Sequence, residues 1–312
     1  MADDPAQLLD RARSGDRPAL ARLLSLVERG GPLARDVGRR THPLAGQAYT
    51  VGLTGAPGAG KSTLTSALVG EVRGADLPIA VLAIDPSSPF SGGAILGDRV
   101  RMADHVTDPA VFIRSMATRG HLGGLSLATL EAVRVLDAVG WPWVVIETVG
   151  VGQVEVEVAG AADTTVVVVN PGWGDAVQAN KAGLLEIADV FVINKADRPG
   201  LDDTRRDLDQ MLDLTDRGTW RPPVVATTAL TGDGVAALWS AIGAHRTHLE
   251  TTGTLQPRRT ARVGDELTRI LMALLLERAQ ASAGPAFDEL TEAVANRSLD
   301  PWTAAERLLP PE

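Results

Sequence analysis

The sequence predicts an α/β protein with a doubly wound, mainly parallel sheet, and three observations carry that expectation. Seven short apolar runs, dense in Val and Ile and without polar alternation, recur between residues 48 and 250; runs of this kind suit strands covered on both faces. Helical patterns fall between most of them. A glycine-rich turn, within VGLTGAPGAGKSTLT (Val51 to Thr65), joins the first run to the first helix. Strand–helix alternation on this scale gives a parallel sheet with helices on both faces.

In order, the expected strands are Ala48–Thr54, Ile79–Ile84, Val111–Met116, Trp143–Glu147, Thr164–Asn170, Val190–Asn194 and Val224–Thr228. The expected helices are Lys61–Arg73, Leu125–Val139, Val177–Ile187, Asp202–Leu214 and Val235–His248. Residues 1–47 read as an N-terminal helical extension. Leu20, Leu23, Leu24 and Val27 repeat at helical spacing, Asp16 is placed to cap, Pro18 falls in the first turn, and Gly30-Gly31 stops the helix. A helical hairpin packed on the main domain is the expected form. After residue 250 the composition shifts. Thr251-Thr252-Gly253-Thr254, followed by Pro257, reads as a linker into a C-terminal helical arm, residues 251–312. There Val263, Leu267, Ile270, Leu271, Leu274 and Leu275 make a broad apolar stripe, with shorter helices expected at Phe287–Ala295 and Trp302–Leu309.

Composition narrows the function. The 312 residues suit about two domains at roughly 150 residues each. A formal charge of −9 argues against nucleic acid or an anionic membrane as partner. Cysteine is absent, which removes disulfides and thiolate metal sites and fits a reducing compartment. No apolar run approaches a membrane span, and Met1 to Ala12 carries alternating charges without a signal-peptide core, so a cytoplasmic protein is expected.

The chemistry begins at the phosphate loop. Gly55, Ala56, Pro57, Gly58, Ala59 and Gly60, with Lys61, Ser62 and Thr63 opening the helix, have the spacing in which backbone N–H groups wrap a polyphosphate. Lys61 is suited to the β and γ phosphates, the Ser62 hydroxyl to Mg²⁺, and the helix start adds partial positive charge. Asn194-Lys195-Ala196-Asp197 follows a Val/Ile strand. The Asp197 carboxylate can accept from N1–H and the exocyclic amine of guanine, a donor pair adenine lacks. The Asn194 amide can meet N7 and hold the loop, and the Lys195 stem can cover the base. Thr228-Ala229-Leu230, at the end of the last strand, fits a loop whose amides face the guanine oxygen. Mg²⁺ needs oxygen ligands, and Asp85, Asp98 and Glu147 are the candidates near strand ends. Lys61, Asp98 and Glu147 are the residues expected to act on the γ-phosphate, the metal or the attacking water; spacing assigns no catalytic glutamine or arginine finger. The helix between the third and fourth strands suits parallel neighbours rather than a hairpin. In this the chain resembles the branch of P-loop proteins that contains signal-recognition GTPases and metallochaperones, rather than Ras-type GTPases, which place a hairpin there.

Five segments together carry a resemblance: GAPGAGKST, AIDPSSPFSGGAILGDRVRM, TRGHLGGLS, ETVGVGQVEVEVAGAAD and NPGWGDAVQANKAGLLEIADVFVINKAD. They resemble the MeaB/ArgK family over roughly residues 10–300. The resemblance implies a GTPase that escorts an adenosylcobalamin-dependent acyl-CoA mutase of the methylmalonyl-CoA type, gating the loading or protection of its cofactor. It implies GTP/GDP and Mg²⁺ as bound species. It also implies a homodimer formed by the C-terminal arm, with a cobalamin adenosyltransferase as a further candidate partner. Asp175, Gln178 and Lys181 fall in the family's third switch, which communicates with the mutase. Thr228 stands where the family usually has Ser, and Trp173 where it often has a small residue.

Two other readings compete with this one. A nickel-type metallochaperone GTPase needs a Cys/His cluster, and His42, His105, His121, His245 and His248 form no tight ligand set. His245 and His248 lie three apart on one helix and read as a solvated face. A transport-associated kinase or ATPase would need a phospho-acceptor pocket that nothing here supplies. The chain is not expected to bind cobalamin itself, since Asp104-His105 and His121 do not match a D-x-H-x-x-G site.

Overall fold

Strand burial positions everything else. The computed structural model describes residues 4–85, 105, 107–117, 127–148, 158, 160–172, 183, 186–214 and 218–308. Its strands are β1 (Tyr49–Gly55), β2 (Ile79–Asp85), β3 (Val111–Ala117), β4 (Trp143–Thr148), β5 (Thr164–Val169), β6 (Val190–Asn194) and β7 (Val224–Thr227). They form one sheet in the order β3-β2-β4-β1-β5-β6-β7, and every pairing is parallel. β1 therefore lies between β4 and β5, with Leu53 level with Glu147 and Gly55 level with Val168.

Side chains alternate between two faces, and each face has its own core. One face packs Val51, Leu53, Val145, Val190 and Val192 against α4 (Lys61–Gly74) and α7 (Val235–Thr251), through Leu64, Leu68, Leu238 and Ile242. The other packs Leu82, Ile84, Val144 and Ile146 against α5 (Leu127–Ala138) and the N-terminal helices α1 (Pro5–Arg13), α2 (Arg17–Arg29) and α3 (Gly31–Thr41). On that second side α6 (Leu201–Asp213) covers Phe191 and Ile193 through Leu208 and Leu212. The Asp16 carboxylate caps α2 from the Ala19 N–H, and Gly30 ends it with φ +72°. Leu20, Leu23, Leu24 and Val27 are all buried. The N-terminal extension has three helices rather than two, because Gly30-Gly31 turns the chain into α3. The helix expected at Val177–Ile187 lies largely outside the described residues. Each outer strand has a guanidinium on its first carbonyl: Arg17 donates to Val111 O, and Arg205 to Val224 O at 3.0 Å.

The chain forms one contact unit up to Arg258 and a second from Arg259. α7 runs three residues beyond its expected end, so the turn before α8 (Leu255–Ala283) shortens and Pro257 falls within that helix's first turn. In the second unit, Val263, Leu267, Leu271, Met272, Leu275 and Leu276 are all more than half exposed, while Ile270 and Leu274 are half-buried. α9 (Pro285–Ala295) and α10 (Pro301–Leu308) follow.

The N-terminal ends of the central strands carry a buried polar group that the sequence reading missed. His245, expected on a solvated face, is 1% exposed. Its helix lies across β5 and β6, and its Nδ1 meets Thr164 Oγ1 at 2.8 Å, while Thr164 also meets the Tyr49 hydroxyl at 2.7 Å. Burial pushes the imidazole down to about 4 and the Tyr49 phenol up to about 12. For His245 the unfolded chain gains its proton near pH 6.5 and the folded protein only near pH 4. Stability from this residue is thus complete above about pH 7 and lost as pH falls through that window. The loss expected by pH 4.5 is about 2–3 kcal/mol. Denaturant melts at pH 7 and 4.5 check this. His245→Gln should flatten the difference by about that amount, and an unaltered pH dependence in the variant refutes it.

Candidate functional site

The C-terminal ends of β1, β4, β5, β6 and β7 bring the predicted loops together. β1 ends at Gly55, whose φ is +134° and where a Cβ would lie 2.0 Å from Val168 O. No larger residue fits between β1 and β5 there. Gly60, at φ +87°, caps α4 and would drive a Cβ to 2.5 Å from Asn194 Nδ2. These two positions explain the glycine spacing: one passes β5, the other abuts the guanine motif.

Asn194 closes β6 on the face shared with Val190 and Val192. Its amide donates to Ala59 O at 2.8 Å, and its Oδ1 accepts from Thr227 Oγ1 at 3.1 Å and from Ala229 N–H at 3.2 Å. One buried side chain thus ties the phosphate loop to the loop after β7. Lys195 sits in the left-handed region at φ +60° and donates from Nζ to Gly58 O at 2.6 Å, so its stem crosses the same gap. Beside it a cavity of about 120 Å³ is lined by Gly60, Thr63, Asp197, Arg198, Thr228 and Ala229 among others. Leu230 stands at its rim, 87% exposed. Thr227 and Arg198 are the residues here that sequence reasoning passed over; each adjoins a motif, and that adjacency was the available signal.

On the phosphate side, Lys61 is buried and its Nζ donates to Gly55 O at 2.6 Å and Ala56 O at 3.1 Å, folding back over its own loop. Ser62 Oγ donates to Glu147 Oε1 at 2.5 Å. The neighbouring register of β1 and β4 sets that contact, because Glu147 is level with Leu53 and shares its face. Glu147 is 1% exposed. A hydroxyl and a carboxylate side by side at a helix start are hard oxygen donors, and they suit a cation that keeps waters and phosphate oxygens for its remaining positions. Asp85 closes β2, with β4 between it and β1; its side chain lies outside the described residues, as do Asp98, Trp173, Asp175, Gln178 and Lys181.

This arrangement is a nucleotide cradle, and comparison with known proteins agrees. The profile of the family described as methylmalonyl Co-A mutase-associated GTPase MeaB matches residues 20–284. The chain belongs to this family. A Pyrococcus abyssi relative, named as a "Putative GTPase", is 50% identical over 308 residues, covering 97% of this chain and 95% of its own. GTPase ArgK of Escherichia coli is 39% identical over 263 residues, 81% of this chain and 80% of that one. The mouse protein named methylmalonic aciduria type A homolog, mitochondrial, is 31% identical over 334 residues, with 99% and 80% covered. Among solved structures, one titled LAO/AO transport system kinase is similar at 30% identity and TM-score 0.73, covering 97% of this chain and 96% of that one. No helix among the described residues is long and apolar enough to cross a membrane.

If Asp197 is the guanine acceptor expected from the sequence, Asp197→Asn removes that acceptor pair. Losing a charge-assisted bond costs about 1.5–3 kcal/mol, so GDP should weaken by roughly ten- to a hundredfold while xanthine nucleotides gain. Calorimetry of both nucleotides checks it; unchanged GDP affinity would refute the base assignment.

Proposed function

We propose that the protein binds and hydrolyses GTP, and that its nucleotide state gates the loading or protection of cofactor on an adenosylcobalamin-dependent acyl-CoA mutase. The observation that carries this reading is the Asn194 side chain, which makes the phosphate loop and the base loop one rigid cradle. A bound phosphate would offer Lys61 Nζ a charged acceptor stronger than the carbonyls it now meets. Ser62 and Glu147 would hold Mg²⁺, with Asp85 and Asp98 as further candidates. The ion supplies charge neutralisation at the phosphates when bound. The protein's own residues fix the polyphosphate, exclude adenine and orient the reacting end. The family's description points to methylmalonyl-CoA mutase as the partner class, and the mouse relative's name fits it. A cytoplasmic setting and a cobalamin adenosyltransferase as a second partner belong to the same reading.

Asp175, Gln178 and Lys181 are proposed to pass the nucleotide state to the mutase. Coupling of this kind is a differential binding energy of about 1–3 kcal/mol, and the mutase should raise GTP turnover noticeably. Lys181→Ala should keep basal hydrolysis and lose the stimulation. Equal loss of basal hydrolysis would make Lys181 catalytic or structural, and full stimulation would put the coupling elsewhere.

The exposed stripe of α8 is proposed to pair with that of a second copy. Leu271→Asp with Leu275→Asp should convert a dimer to a folded monomer in sedimentation. A variant that stays dimeric would exclude the stripe.

A further inference from the structure

At the end of the sheet opposite the nucleotide cradle, one carboxylate faces two bases. Asp189 immediately precedes β6 and is largely buried. Its Oδ2 accepts from Thr165 N–H at 2.8 Å, and its two oxygens take the Arg258 guanidinium at 2.9 and 3.2 Å. Arg258 also donates to Asp163 O at 2.9 Å. It lies in the first turn of α8, the helix that continues into the second contact unit. The second base is His245, whose Nε2 stands 3.4 Å from Asp189 Oδ1. Trp220 completes the group, its indole N–H on Asp189 O at 2.9 Å and its ring 4.9 Å from His245.

We propose that Arg258 and protonated His245 are alternative cations for Asp189, so that release of the first turn of α8 is accompanied by uptake of one proton by the His245 ring. Three observations support the exchange. A buried carboxylate without a cation is costly, so Arg258 cannot leave unless its charge is replaced. Arg258 is the solvent-facing member of the pair: its side chain is 40% exposed, whereas that of His245 is 2% exposed. It also borders a cavity of about 300 Å³ lined by Trp220, Pro222, His248, Leu249 and Thr254 among others. Finally, His245 is built to accept the proton. Its Nδ1 faces the Thr164 hydroxyl, which Tyr49 also meets, and either hydroxyl can rotate to let Nδ1–H donate while Nε2–H turns to Asp189.

The charges around His245 set the direction. Asp189 and Asp163 favour its protonated form, while burial, Arg258 and His248 oppose it. Glu186 also lines the cavity, and Tyr49 stays protonated. With Arg258 seated the imidazole is neutral at pH 7. With Arg258 withdrawn, one opposing cation is gone and Asp189 is left facing the ring. The chain is thus expected to bind the proton when the helix root comes away and return it when the root reseats.

Histidine NMR titration of the full chain tests this, with the His245 signal assigned by its loss in His245→Gln. In Arg258→Met the His245 titration midpoint should rise by at least one pH unit, and in Arg258→Lys it should stay near the wild-type value. A midpoint in Arg258→Met equal to wild type overturns the proposal. Hydrogen exchange of amides 255–262 gives a reading that needs no Arg258 variant. Corrected for intrinsic rates, their protection should fall between pH 7 and 4.5 in wild type and hold steady in His245→Gln. Equal pH dependence in both proteins also overturns it.

Discussion

The phosphate loop and the loop after β7 are separated by about 170 residues of chain, and a single amide side chain joins them. Asn194 donates to one and accepts from the other, buried where water cannot substitute for either partner. Every other feature of the cradle is arranged to permit this. Gly60 lacks a side chain because Asn194 Nδ2 occupies its space. Lys195 takes a left-handed backbone so that its stem can run back to Gly58. Thr227 contributes a hydroxyl from the last residue of β7. Removing the amide would uncouple the phosphate loop from the loop after β7.

Sheet order does the equivalent work on the Ser62 side of the phosphate loop. Because β4 rather than a hairpin strand neighbours β1, Glu147 arrives level with Leu53 and within reach of Ser62. The same parallel order leaves the opposite ends of the strands to carry Asp163, Thr164 and Asp189. The sheet therefore has a cradle at one end and a charge-balanced floor at the other. α7 spans the distance between them: it starts beside the base loop at Val235 and brings His245 and Leu249 to the floor.

Much of this could be read from the chain because the signals are local. Each strand is a continuous Val/Ile run, and predicted ends fell within about two residues of the observed ones. Glycine spacing and the NKAD string announce themselves within a few residues. His245 could not be read in this way. Its partners, Thr164 and Asp189, lie 81 and 56 residues away, and nothing near it in sequence distinguishes a buried imidazole from a solvated one. Helical periodicity placed it beside His248, whereas tertiary packing drew it beneath the sheet. Arg258 was hidden for the same reason, inside a stretch whose Thr, Gly and Pro suggested a loop and whose Pro257 instead opens a helix.

The guanidinium groups on the two outer strands bear on how the molecule can associate. A bare strand edge offers a row of backbone groups on which another chain can continue the sheet without limit. Here an incoming strand must first displace Arg17 from Val111 O on one side and Arg205 from Val224 O on the other. Extension of the sheet at either margin therefore competes, from its first hydrogen bond, with a guanidinium already seated on the strand.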